Sequence, residues 1–203
     1  MDDIRYGIFL RPDPATCWAV TQITFALRQQ FGIVAGASFA PHATLVGNLR
    51  MDQSEDDLIR ALDQVFSDVH PIPVYNHGVA ASGNGVRYDI DQDASGSQRN
   101  IELAAIADAV RAVVEPLHVR HDDLLAPNVQ DYRFAAHLTL AGFDLDVDPR
   151  LSREVVEFVR GLPVAYPSSF VARWYTLFEF RADWTGQWWH QMASRHVRSW
   201  EIG

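Results

Sequence analysis

Cysteine is almost absent: Cys17 stands alone among 203 residues. No disulfide can form within the chain, and a reducing, cytoplasmic setting is expected. No apolar run approaches the roughly 18 residues of a membrane span, so no membrane partner is expected. The acidic start Met1-Asp2-Asp3-Ile4-Arg5 runs directly into a strand-like segment, and no signal peptide is expected there. Cations are scarce too, with 17 Lys and Arg against 26 Asp and Glu and a formal net charge of −9. That balance argues against an extended nucleic-acid footprint, which needs many cation–phosphate contacts. It leaves room for a small anionic substrate in a locally basic cleft. Gly83-Asn84-Gly85 lacks the Lys-Ser/Thr of a phosphate loop and is better read as a turn. Asp89-x-Asp91-x-Asp93 lacks the glycine and the closing acid of a calcium loop, having Ala94 and Asn100 instead. It is read as a solvated acidic turn. His118-x-x-His121-Asp122-Asp123 matches no zinc spacing.

What is present is a soluble globular composition, 48% hydrophobic and 21% charged, and a repeated motif. Pro41-His42-Ala43-Thr44-Leu45-Val46-Gly47 returns in the second half as Ala136-His137-Leu138-Thr139-Leu140-Ala141-Gly142. Residues two apart on a strand share a face. His42 with Thr44, and His137 with Thr139, are therefore expected on one side. Ala43, Leu45, Leu138 and Leu140 are expected on the other, towards a core.

Around the motifs, strand and helix patterns alternate. Ile4–Leu10 is β-rich and stops at Arg11-Pro12-Asp13-Pro14. A helical stripe runs from about Ala15 to Phe31, with Gly32 as its stop. Ser54-Glu55-Asp56-Asp57 resembles a capping box ahead of an apolar face, and Asn100 is placed to cap a further helix. Val74–Asp91 reads as one hairpin turning at Gly83-Asn84-Gly85. His118–Gln130 reads as an irregular connection, Tyr132–Phe143 as the second motif strand, Leu151–Val159 as a helix, and Ser169–Phe180 and the segment to Ile202 as strands. The order strand, helix, His-x-Thr strand, helix occurs roughly twice, and no linker divides the chain. The expectation is a single α+β domain over residues 1–203 with pseudo-twofold organisation.

Paired histidines suit phosphodiester chemistry. Imidazole has an unperturbed pKa of about 6.5, so one ring can take a proton while a second gives one. A threonine two residues along can donate to a non-bridging phosphate oxygen, pre-aimed by its stiff χ1. No metal or other cofactor is required by this scheme. Arg133 shares the parity of His137 and Thr139 if the strand is regular, which makes it a candidate for substrate phosphate. Phe39 shares the parity of Pro41 and is expected to point away. Trp174, Trp184, Trp188 and Trp189 are candidates for base stacking or for core packing. His70, His77, His190 and His196 show no partner pattern.

The tetrapeptides His42-Ala43-Thr44-Leu45 and His137-Leu138-Thr139-Leu140 resemble those of the 2H phosphoesterase superfamily, which includes 2′-5′ RNA ligase-like proteins and cyclic phosphodiesterases. Tyr6–Pro12 with the following helix and Phe39-Ala40-Pro41-His42 resembles the N-terminal half of the cyclic phosphodiesterases. Phe170–Phe178 resembles the strand ending the family's second lobe. The resemblance implies two lobes, each an antiparallel sheet with outer helices, around a central cleft carrying both motifs. It implies metal-independent hydrolysis of 2′,3′-cyclic nucleotides or related cyclic or 2′-5′-linked phosphates, with His42 and His137 catalytic and Thr44 and Thr139 on the phosphate. The expected partner is a small nucleotide or an RNA end. Ligation of a 2′-5′ bond and non-catalytic binding of nucleotides or RNA ends remain open, as does the assignment of base and acid. Ala136 departs from the proline that many members place before the second histidine, a change expected to affect only backbone stiffness.

Overall fold

The computed structural model describes residues 3–83, 85–121 and 128–203. The chain forms β1 (Asp3–Arg11), α1 (Pro14–Phe31), β2 (Ala43–Leu49), α2 (Glu55–Ser67), β3 (Ile72–Tyr75), β4 (Val79–Ser82), β5 (Gly85–Asp89), α3 (Ile101–Val114), β6 (His137–Ala141), α4 (Phe143–Val147), α5 (Leu151–Gly161), β7 (Ser169–Ala172), β8 (Trp174–Ala182) and β9 (Ala193–Glu201). The architecture is α+β, and every strand pairing among the described residues is antiparallel.

Local chemistry sets the helix ends. Asp13 accepts from Thr16 N–H at 2.9 Å, Pro14 opens α1, and Gly32 closes it at φ 70°, a left-handed conformation that glycine adopts without steric cost. The capping box is formed: Ser54 and Asp57 bond each other's backbone N–H ahead of α2. Asn100 accepts from Leu103 N–H at 3.1 Å at the head of α3. Such caps contribute about 1 kcal/mol each.

One sheet has the order β2-β1-β8-β9. The other strands form a β3-β7 pair and a β4-β5-β6 sheet. Backbone bonds from Asn76 N–H to Ser168 O and from His77 N–H to Asp89 O lie between the pair and the sheet. The stretch Val74–Asp91 is thus not one hairpin. Pro73 and the residues beside it pair with β7, and only β4 and β5 form the hairpin. Asn84 at its turn lies outside the described residues. Phe170–Phe178 is not one strand either: it breaks at Arg173, so that β7 joins β3 while β8 pairs with β1 along its length. The two sheets therefore do not correspond to two halves of the sequence.

The helices cross over in the same way. α1, which follows β1, packs on β6, and α3, which follows β5, packs on β2. Each motif strand presents its apolar face to a helix contributed by the other half. Ala43, Leu45, Leu138 and Leu140 are all at most 1% exposed, and burying a leucine side chain contributes about 1.5–3 kcal/mol. The alternating parity of the motifs is the reason their histidines and threonines turn the opposite way. No helix among the described residues is long and apolar enough to cross a membrane.

Candidate active site

The motif-bearing faces of the two sheets enclose a cavity of about 540 Å³. Its lining brings together His42, Thr44, His137 and Thr139, four of the five residues singled out from the motifs. β1 and β2 carry Thr44 opposite Phe9, and β5 and β6 carry Thr139 opposite Arg87. His42 stands immediately before β2, and His137 opens β6 opposite Asp89.

The two imidazoles are anchored alike. His42 Nδ1 lies 2.7 Å from Ala40 O, and His137 Nδ1 lies 2.7 Å from Ala135 O. A carbonyl oxygen only accepts, so each Nδ1 carries the proton. In the neutral ring the lone pair is then on Nε2, the nitrogen left for substrate. His42 Nε2 is 3.1 Å from Thr44 Oγ1, whose hydroxyl donates to it when the ring is neutral.

Their surroundings differ. The Phe9 ring lies 3.9 Å from the His42 ring and Phe39 lies 5.7 Å away. Gly7 makes room for this arrangement, since a Cβ there would collide with the Phe9 ring. Burial pushes His42 down to about 4, and the charge of His137 adds to the effect. Burial also lowers His137, as does Arg87, but its carbonyl bond and Asp89 and Asp91 pull the other way. Both rings thus bind protons less readily folded than unfolded. The unfolded chain takes up more protons as pH falls from about 6.5 towards 4, so stability is lost through that window. The Tm of the wild type is expected to fall as pH is lowered from 7 to 4.5, and to fall less in His42→Gln, as thermal melts at each pH would show.

Arg133 is not where regular strand parity put it. Residues 132–136 have no strand structure, and Arg133 is exposed and absent from the cavity lining. The cation beside the motif is Arg87, which lines the cavity and whose Nε is buried without a hydrogen-bond partner among the described residues. It lay in the stretch with no recognisable motif. Its pairing with the second His-x-Thr strand is a tertiary fact that only the alternation of Val86, Arg87 and Tyr88 hinted at. Tyr132, just before Arg133, does line the cavity, with its hydroxyl 3.5 Å from Thr44 O.

Phe39 also departs from its expected direction. It lies in a bend, not a strand, and lines the cavity beside Phe143, Phe180, Trp184 and Trp188. Trp189 is buried behind this wall. Asp144 ties the wall together, accepting from Trp189 Nε1 at 3.0 Å and from Ala35 N–H at 2.7 Å. Trp174 instead packs under Arg11, whose guanidinium is 4.3 Å from its ring centre. At the far end of β1, buried Arg5 donates to Asn48 Oδ1 at 2.5 Å and covers the Trp184 ring at 4.4 Å.

The remaining candidates have structural occupations. His118 Nε2 donates to Asn128 Oδ1 at 2.9 Å, and His121 Nε2 accepts from Asn48 Nδ2 at 3.0 Å. Asp122 and Asp123 lie outside the described residues. Among the described residues, no group of three His, Cys, Asp or Glu is arranged to hold a metal ion.

No family model matches the chain, and no curated protein matches it. Solved structures do. Escherichia coli LigT complexed with ATP is 15% identical with a TM-score of 0.54, covering 100% of this chain and 99% of that one. A protein described as a phosphoesterase is 15% identical with a TM-score of 0.56, covering 98% of each chain. TT0787 of Thermus thermophilus is 14% identical with a TM-score of 0.55, covering 98% of this chain and 97% of that one. LigT has also been solved with 3′-AMP, NADP+ and phosphate. At such low identity the likeness speaks for architecture alone, and it covers nearly the whole chain. The chain shares its fold with LigT and TT0787, and its two His-x-Thr motifs resemble those of the 2H phosphoesterase superfamily.

Proposed function

We propose that this protein is a metal-independent phosphodiesterase that opens 2′,3′-cyclic nucleotides or related cyclic or 2′-5′-linked phosphates by two-histidine acid–base catalysis. The observation that carries the reading is the pair of imidazoles lining one cavity, each with Nδ1 committed to a backbone carbonyl and each followed by a cavity-lining threonine. Binding alone would not need two such rings. The nucleotides bound by LigT support a nucleotide-sized ligand, and a cavity of about 540 Å³ walled by aromatics accommodates one. The chain is read as one bilobal domain, with one sheet per lobe.

In this scheme Thr44 and Thr139 donate to the non-bridging oxygens and Arg87 offsets the charge that builds on them. Neutral His42 takes a proton from water through Nε2 while the water oxygen bonds to phosphorus. The P–O bond to the 2′ or 3′ oxygen breaks, and that oxygen takes the Nε2 proton of protonated His137. Proton exchange with solvent restores both rings. His42 suits the base because its apolar cover keeps it neutral. Burial lowers His137 as well, but its carbonyl bond, Asp89 and Asp91 oppose that shift, which makes it the better acid of the two.

The cations separate this scheme from the simpler strand argument. Arg87→Ala is expected to lower kcat/KM for a 2′,3′-cyclic mononucleotide about 10²-fold, the scale of losing one pre-aimed transition-state donor. Arg133→Ala is expected to leave it close to wild type. Steady-state kinetics of both variants would check this, and an Arg133 defect equal to that of Arg87 would reverse the assignment.

A further inference from the structure

Asp89, Asp91 and Asp93 fail the calcium-loop template, and they are not simply a solvated turn. Asp93 closes an exposed turn, accepting from Ser95 N–H at 3.0 Å and Ser95 Oγ–H at 2.6 Å. Asp89 accepts from Asp91 N–H at 3.1 Å. Asp91 reaches across to the second motif, where its Oδ1 accepts from Ala136 N–H at 2.8 Å. Several contacts hold it there. Arg99 Nε lies 3.4 Å from the same oxygen, and another nitrogen of that guanidinium donates to Phe134 O. Asn100 N–H bonds Asp91 O at 2.7 Å, and Ile90 N–H bonds Ala136 O at 3.2 Å.

The N–H of Ala136 and the C=O of Ala135 belong to one peptide group. That carbonyl is the acceptor for His137 Nδ1–H at 2.7 Å. Carboxylate, peptide and imidazole therefore stand in series. Amide resonance couples the two ends of the peptide. A negative charge on its N–H side enriches the oxygen, strengthens the bond from Nδ1–H and favours imidazolium over imidazole. No proton need travel along the series.

We propose that Asp91 is a positioning residue that acts through the Ala135–Ala136 peptide to orient His137 and hold it as the proton donor, making the two motif histidines unequal. Only the donor role of His137 rests on the phosphodiesterase reading; the coupling itself does not.

His42 cannot be served in this way. The carbonyl that takes its Nδ1–H is Ala40 O, and the nitrogen of that peptide belongs to Pro41, which has no N–H. The exchange of proline for Ala136 thus does more than alter backbone stiffness: it supplies the donor that Asp91 binds. The charged groups that bear on His137 are Arg87 and Asp89 of β5, Asp91 after it, and His42 from the other sheet. Arg87 opposes its protonation, and both aspartates favour it. Arg99 reaches this series through Asp91.

The test is an NMR titration of isotope-labelled histidines in the wild type, Asp91→Asn and Ala136→Pro. Asp91→Asn keeps an oxygen for the Ala136 N–H and removes the charge. Ala136→Pro removes the N–H and reproduces the Pro41 arrangement. The His137 midpoint is expected to fall by roughly half a unit to one unit in Asp91→Asn, and to fall in Ala136→Pro, while the His42 midpoint moves far less. Asp93→Asn, the same charge change in the exposed turn, is expected to leave His137 in place. The alkaline limb of kcat/KM should move down with the midpoint. A His137 midpoint unchanged in both folded variants, with only Tm reduced, would overturn the proposal. Because the midpoint is read without substrate, a wild type that cleaves no phosphodiester would defeat the functional reading and leave the coupling to be judged by the titration.

Discussion

Alanine at either His42 or His137 is expected to lower kcat for a 2′,3′-cyclic mononucleotide about 10³-fold, within the range that a positioned acid or base contributes. The protein should stay folded in both cases, because the imidazoles line a cavity and the apolar faces of their strands form the core. KM should change far less than kcat, since in the proposed scheme Thr44, Thr139 and Arg87 still hold the phosphate. The double variant is expected to lose little more than either single one, as residues that act in one step are not additive. Stopped assays of purified variants, with circular dichroism to confirm folding, would measure this. A single variant retaining near wild-type kcat would remove that histidine from the reaction.

The second large effect is on pH dependence. In the proposed scheme the free enzyme is competent when His42 is neutral and His137 protonated. Lowering pH through about 4 protonates His42 and removes the base. Raising pH deprotonates His137, whose midpoint burial and Arg87 hold below the ordinary histidine value. The kcat/KM profile should therefore be a bell with its maximum on the acid side of neutrality. Beyond its alkaline limb the rate should fall tenfold per pH unit, leaving pH 8.5 more than about 10²-fold below the maximum. The two apparent midpoints belong to the coupled pair. A profile flat from pH 6 to pH 9 would contradict the assignment of His137 as acid.

The motifs were legible because strand parity is local. Ala43 and Leu45 going inward forces Thr44 outward, and no tertiary knowledge is needed. The caps at Ser54 and Asn100 could be read for the same reason. Arg133 failed because parity holds only within a regular strand, and β6 begins at His137. Phe39 failed similarly, since its bend lies outside β2. Arg87 and Asp91 could not have been found from local pattern. Their roles depend on β5 pairing with β6 and on one hydrogen bond between residues 45 apart in the chain. The pairing of β8 with β1 was hidden for the same reason: aromatic strand character marks a strand without naming its neighbour.

The most direct test of the account is turnover of 2′,3′-cyclic mononucleotides by the wild-type protein in EDTA, with the 2′- and 3′-phosphate products separated. Turnover that persists under chelation and yields one dominant phosphate isomer is the predicted result, since the proposed scheme places His137 beside one leaving oxygen. Turnover abolished by EDTA and restored by a divalent metal would contradict the two-histidine mechanism.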